Sequence, residues 1–234
     1  MDTRRSRWMV LLIALAGILT AAPAAAAPQG PDVSSWQHPN KMLIDWFAVR
    51  HAGYEFAMVK ATEGLHYMNP HFVPDSVIMR MAGVARGTYH YARPQLPPEA
   101  QAVLYSTVVL GQNGPLDLPP VLDLEDSGGL APDQLIDWTQ RYLNTVQAMT
   151  GRVPIIYTYP NFWKTAMANT NQFTRYPLWI ADYRGNSEPE VPGGWPAWTF
   201  WQTTDSGTIP GIPAQVDLNV YSGAQGDFAR FANM

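Results

Sequence analysis

Cysteine is absent from this 234-residue chain, which removes disulfides, thiol nucleophiles and thiolate metal sites from consideration. Stability must come from a packed core. Lysine is scarce, with Lys41, Lys60 and Lys164 the only three, and charged residues make up 15% of the chain with a formal net charge of −4. A composition so poor in basic residues argues against capture of nucleic acid or anionic lipid. There is no Gly-x-Ser-x-Gly elbow and no glycine-rich phosphate loop, which disfavours esterase and nucleotide-binding readings. The five histidines lack metal-ligand spacing, so no zinc site is expected. No internal repeat, linker or low-complexity tract follows residue 30, and one domain is the simplest count.

The N-terminus stands apart. Arg4, Arg5 and Arg7 precede an apolar run from Trp8 to Ala22 and a small-residue stretch, Ala24 to Ala27. This is the pattern of a secretory signal peptide over residues 1–27. The run is shorter than the roughly 20 residues a spanning helix needs, and no second run follows, so no stable membrane anchor is expected after cleavage. Loss of residues 1–27 removes three arginines and one aspartate, taking the formal charge from −4 to −6. The expected product is an acidic, monomeric protein, secreted or held in the cell envelope.

Residues 28–234 read as one catalytic α/β domain. Hydrophobic residues make up 47% of the sequence, enough for a sizeable core. Eight short apolar runs read as strands: 29–34, 54–61, 84–91, 120–125, 154–158, 178–182, 198–202 and 215–220. Helical periodicity fits 43–51, 70–81, 98–110 and 132–150, the last opening on Pro132 and stopping at Gly151. Such alternation favours a parallel sheet with crossover helices, and eight strands suggest closure into a (β/α) barrel. Between Tyr183 and Trp198, and between Gln202 and Gln215, the links are rich in Gly and Pro without helical period. The barrel should therefore be irregular in its last third, with fewer outer helices than strands.

Acidic residues close several strands: Asp32 the first, Asp123 and Glu125 the fourth, Asp182 the sixth, and Asp217, with Asn219, the eighth. In a parallel barrel these ends meet at one mouth, where active sites sit. Asp123 and Glu125, two apart, share a strand face with Cα atoms about 6.6 Å apart at about 3.3 Å per residue. Neighbouring carboxylates in a partly dry pocket resist joint ionisation, so one pKa rises and that group can act as a general acid. Glycosidic cleavage needs such an acid together with a second negative group near the cationic transition state. Helix capping or pairing with arginine is the alternative use of any single acid, and Asp126, on the opposite face, fits a cap. A carboxylate-only site for a hard cation is another. Trp36, Tyr89, Tyr91, Tyr157, Tyr159, Trp179, Tyr183, Trp198 and Trp201 lie near these strand ends. As a set beside carboxylates they favour a sugar groove, although for any one ring core packing is the better reading.

Taken together, the segments Gly30-Pro31-Asp32-Val33-Ser34 with Trp36-Gln37, Phe56 to Gly64 including Lys60, Gly87 to Pro94, Val121-Leu122-Asp123-Leu124-Glu125, Leu178 to Tyr183, Trp201-Gln202 and Val216-Asp217-Leu218-Asn219 resemble the glycoside hydrolase family 25 lysozymes, which are N-acetylmuramidases. The resemblance spans nearly all of residues 28–234. It implies a modified barrel and hydrolysis of the β-1,4 bond between N-acetylmuramic acid and N-acetylglucosamine in peptidoglycan. By similarity Glu125 is the general acid, Asp123 its partner, and Asp32 and Asp217 complete the catalytic cleft. Asp182, Tyr89, Tyr157, Trp201 and Lys60 would bind substrate, and no cofactor or metal is implied. The resemblance implies retention, with either the substrate's acetamido group or a carboxylate as nucleophile; the latter needs a side chain about 5 to 5.5 Å from Glu125. Without added wall-binding repeats, the cleft alone is expected to find the polymer. A non-catalytic glycan-binding barrel and a chitinase-like hydrolase are the competing readings.

Overall fold

A computed structural model describes residues 26–111, 114 and 116–232; residues 1–25, most of the expected signal peptide, lie outside them. The eight expected strands form one closed barrel: β1 (Gln29–Val33), β2 (Phe56–Glu63), β4 (Ala85–Tyr91), β5 (Val121–Asp123), β6 (Ile155–Thr158), β7 (Leu178–Ala181), β8 (Phe200–Gly207) and β9 (Val216–Tyr221). Their order is β1-β9-β8-β7-β6-β5-β4-β2, and β1 pairs with β2 to close the ring. A two-residue strand, β3 (Tyr67–Met68), adds to β2 as a short antiparallel partner.

One expectation needs correction. β9 runs antiparallel to both β8 and β1, so the sheet is mixed. The physical reason lies in the link 208–215, which is too short for the dozen or more residues of a parallel crossover. Asp217 therefore reaches the mouth from the starting end of its strand, opposite Asp32 in register.

Helices cover the first two thirds of the barrel. They are α1 (Trp46–His51), α2 (Phe72–Ala82), α3 (Pro98–Leu110), α4 (Pro132–Thr150) and α5 (Pro160–Ala166). α3 and α4 match their expected bounds, and α1 starts later because Asp45 caps it, accepting the Ala48 amide at 3.0 Å. The links 182–199 and 208–215 carry no helix, as their Gly and Pro content implies. α6 (Gln225–Ala232) follows β9. Among the described residues no helix is long and apolar enough to cross a membrane.

Strand alternation separates two cores. Outward residues such as Val59, Leu122, Ile156 and Ile180 pack under the helices with Trp46, Tyr142 and Trp163. Inward residues Phe56, Met58, Val121, Ile155, Trp179 and Phe200 fill the barrel. α6 closes the floor, with the Phe228 ring tilted against Phe56 and edge-on to Tyr221 at centroid distances of 5.4 and 5.3 Å. Gly87 makes room for this filling, since a Cβ there would lie 2.0 Å from Met58 Sδ. His90 belongs to the outer core, bonded to Thr62 and Gln101 at 2.8 and 3.0 Å. Burial drives its pKa down to about 4, so it is a neutral packing residue.

Candidate active site

With the floor sealed by aromatics, the open end of the barrel is where polar inward residues collect. A cavity of about 300 Å³ there is lined by Asp32, Lys60, Tyr89, Asp123, Glu125, Tyr157 and Asp217, and by Ser34, Trp36, Tyr91, Trp179, Tyr183 and Gln202. A second cavity of about 620 Å³ adjoins it, sharing Glu125, Tyr157 and Tyr183, and continues over Tyr159, Lys164, Asp182, Arg184 and Glu190.

Gln202 organises the well. Its Nε2 donates to Asp32 Oδ2 at 2.7 Å and to Asp217 Oδ2 at 3.1 Å, while its Oε1 accepts Tyr157 Oη at 2.8 Å and the Tyr183 hydroxyl. Asn219 donates to the same Asp32 oxygen at 2.8 Å and accepts the Trp179 indole N–H at 2.8 Å. With all amide atoms engaged, neither Gln202 nor Asn219 can turn without leaving a buried partner unpaired.

Burial raises Asp32 to about 6, against the two amide donors that favour its ionised form. Burial and the Asp32 charge push Asp217 up to about 8. Asp32 is the more buried member but the better hydrogen-bonded one, so it ionises first, and near neutral pH Asp217 holds the proton between them.

Asp123 is buried and its Oδ1 has no hydrogen-bond partner; burial, then the Glu125 charge, drives its pKa well above the carboxylate range. Glu125 lies just past the end of β5 and is less enclosed. Burial raises it too, opposed by a hydrogen bond from Tyr91 and by the Lys60 charge. This pair therefore holds a proton more tightly than either carboxyl would alone.

The sequence matches a known family. The model of glycosyl hydrolases family 25 covers residues 31–212. The chain belongs to glycosyl hydrolase family 25. Lysozyme M1 of Streptomyces globisporus is 36% identical over 224 residues, covering 92% of this chain and 74% of that protein. The N,O-diacetylmuramidase of Arthroderma benhamiae is 33% identical, covering 96% and 97% of the respective chains. The crystal structure of a bacterial lysozyme from Streptomyces coelicolor superposes with a TM-score of 0.81 at 35% identity, over 89% of this chain and 98% of that one.

Within this family 25 hydrolase the expected site residues do not all converge. Asp32, Asp123, Glu125, Asp217, Tyr89, Tyr157 and Lys60 line the well. Lys60 is bound to Glu63 and lies over the Tyr91 ring, its Nζ 4.7 Å from the centroid. Asp182 lines only the adjoining cavity, and its carboxylate is held by Arg184 at 2.7 Å and by the Glu190 amide at 2.8 Å; the Arg184 bonds lower its pKa. Trp201 lines neither cavity. It sits one residue from Gln202, so its ring faces the outer layer, where its indole donates to the Asp182 carbonyl at 2.9 Å. Asp126 accepts the Gly128 amide at 2.8 Å and pairs with Arg93 at 3.0 Å. Gln202 enters the sequence reading through the Trp201-Gln202 segment, with no role in the site assigned to it.

Tyr91 offers a test of the electrostatics. The Lys60 ammonium and the Arg93 guanidinium both lie over its ring, 4.7 and 4.6 Å from the centroid, and its hydroxyl bond stabilises ionised Glu125. Removing that bond raises the Glu125 pKa, so Tyr91→Phe is expected to move the alkaline limb of the kcat/KM profile upward by about one pH unit. An unmoved or lowered limb would count against Glu125 as the titrating acid.

Proposed function

We propose that the protein is a secreted, monomeric lysozyme of the N-acetylmuramidase type, cleaving the β-1,4 bond between N-acetylmuramic acid and N-acetylglucosamine in peptidoglycan. The observation that carries this reading is the Asp123–Glu125 pair in a well walled by tyrosines and Trp179. The names of the relatives, lysozyme and N,O-diacetylmuramidase, support it. Secretion rests on the arginine-led apolar run before residue 28.

In this mechanism Glu125 gives its proton to the departing glycosidic oxygen. Asp123 Oδ1, buried and unpartnered, accepts the N–H of the 2-acetamido group and turns the acetamido oxygen toward the anomeric carbon. That hydrogen bond favours ionised Asp123 and leaves the pair's proton on Glu125. Water, deprotonated by Glu125, then opens the intermediate with overall retention. The Asp32–Asp217 pair, fixed by Gln202 and Asn219, supplies negative charge near the oxocarbenium-like centre.

Reducing-end release from purified peptidoglycan, with chitin as the muramic-acid-free control, tests the proposal. Release from peptidoglycan alone is the expected result. Equal rates on both polymers would favour a chitinase-like enzyme, and saturable binding without product a glycan-binding barrel.

A further inference from the structure

Seven of the eight described tryptophans, 46, 138, 163, 179, 195, 198 and 201, donate their indole N–H to an acceptor within the protein. Trp36 is the exception. It is 83% exposed, the most exposed large apolar side chain among the described residues, yet it lines the catalytic well.

The backbone beneath it is firmly held. After β1 the chain enters one 3-10 turn, Ser35–Gln37, in which Ser34 Oγ accepts the Trp36 amide at 3.2 Å and Gln37 Oε1 accepts the Ser34 amide at 2.8 Å. Two further bonds tie the turn to distant segments: Tyr67 Oη donates to Ser35 Oγ at 2.9 Å, and Gln37 Nε2 to the Gln215 carbonyl at 3.1 Å. A rigid backbone carrying a bare indole is preorganised for a flat apolar partner, because little order has to be imposed on binding. The apolar C–H face of a pyranose is such a partner, and an indole also offers an N–H to its hydroxyls.

Strand order fixes where this indole lies relative to the reacting bond. β1 and β6 are four places apart around the eight-stranded ring, hence on opposite rims. Trp36 follows β1, while Tyr159 and Lys164 of the adjoining cavity follow β6. The two cavities thus form one trough across the mouth, with Glu125 where they meet and Trp36 at the β1 end.

We propose that Trp36 is a stacking platform for a sugar ring of the glycan chain away from the scissile bond, so that it discriminates long substrates from short ones. The inference rests on the lysozyme reading of the same well. Peptide-free oligomers of the N-acetylmuramic acid–N-acetylglucosamine repeat, graded in length, provide the test. Trp36→Ala is expected to raise KM for the longest oligomer by about ten-fold, with kcat within about two-fold and the shortest cleavable oligomer unaffected. Trp36→Phe should recover most of the loss. Because the side chain is exposed, thermal unfolding of both variants should match the wild type. In the Glu125→Gln background, bound oligomer should blue-shift tryptophan emission, and Trp36→Phe should abolish that shift. Wild-type cleavage of every oligomer with no length-dependent loss in Trp36→Ala, or an equal loss at all lengths, overturns the platform alone. Failure of the wild type to cut any oligomer overturns both readings.

Discussion

Replacing Glu125 by Gln is expected to lower kcat on purified peptidoglycan by about 10²- to 10⁴-fold, the range supplied by a positioned general acid, with KM changed far less. Gln keeps the shape and can still accept the Tyr91 hydroxyl, but it has no proton to give to an alkoxide leaving group. Glu125 lies where the two cavities meet, so a glycan in the trough passes over it. The substitution also removes one of two coupled carboxylates, which relieves repulsion inside the well. The variant should therefore be at least as stable as the wild type by thermal unfolding, and that result separates lost chemistry from lost fold. Retained turnover in a folded Glu125→Gln protein would remove Glu125 from the acid role.

Asp123→Asn should cost on the order of 10²- to 10³-fold in kcat, comparable to removing one preorganised group that acts on the transition state. The amide is isosteric, so KM should move little. What it loses is an acceptor charge at the buried Oδ1, the atom with no partner in the protein. A second consequence has a definite sign. The Asp123 and Glu125 charges oppose one another, so a neutral residue at 123 makes Glu125 easier to ionise. The residual activity should therefore lose its alkaline limb at lower pH than the wild type, opposite to the displacement expected for Tyr91→Phe. Unchanged kcat with a raised KM would assign Asp123 to binding alone.

The four central acids were legible in the sequence because each adjoins a short apolar run, and barrel geometry brings the open ends of such runs together. The three longest helices, α2, α3 and α4, were legible for a similar reason: apolar spacing is local, and Pro132, Gly151 and Pro98 mark ends that depend on few neighbours. What stayed hidden was relational. Strand periodicity is the same in either chain direction, so the antiparallel run of β9 could be inferred only from the eight-residue link before it. Gln202 became a hub through Asp32, 170 positions away, and no local pattern announces such a bond. Trp201 shows the converse error. Its place beside Gln202 in a recognisable motif drew it into the site, although alternation along β8 puts neighbours on opposite faces. α5 escaped notice because it is a single short helix of seven residues whose N-cap, Tyr159, makes no side-chain cap bond. Asp182 closes an apolar run as expected, and only the positions of Arg184 and Glu190 reveal that its carboxylate is already engaged.

The central claim, that the Glu125 well cuts on the reducing side of N-acetylmuramic acid, is tested most directly by identifying the new ends it makes. Purified peptidoglycan digested by the wild-type protein, reduced with borohydride and analysed by mass spectrometry should yield fragments ending in reduced N-acetylmuramic acid, and Glu125→Gln should yield none. Fragments ending in reduced N-acetylglucosamine, or equal product from the Glu125→Gln protein, would contradict the account.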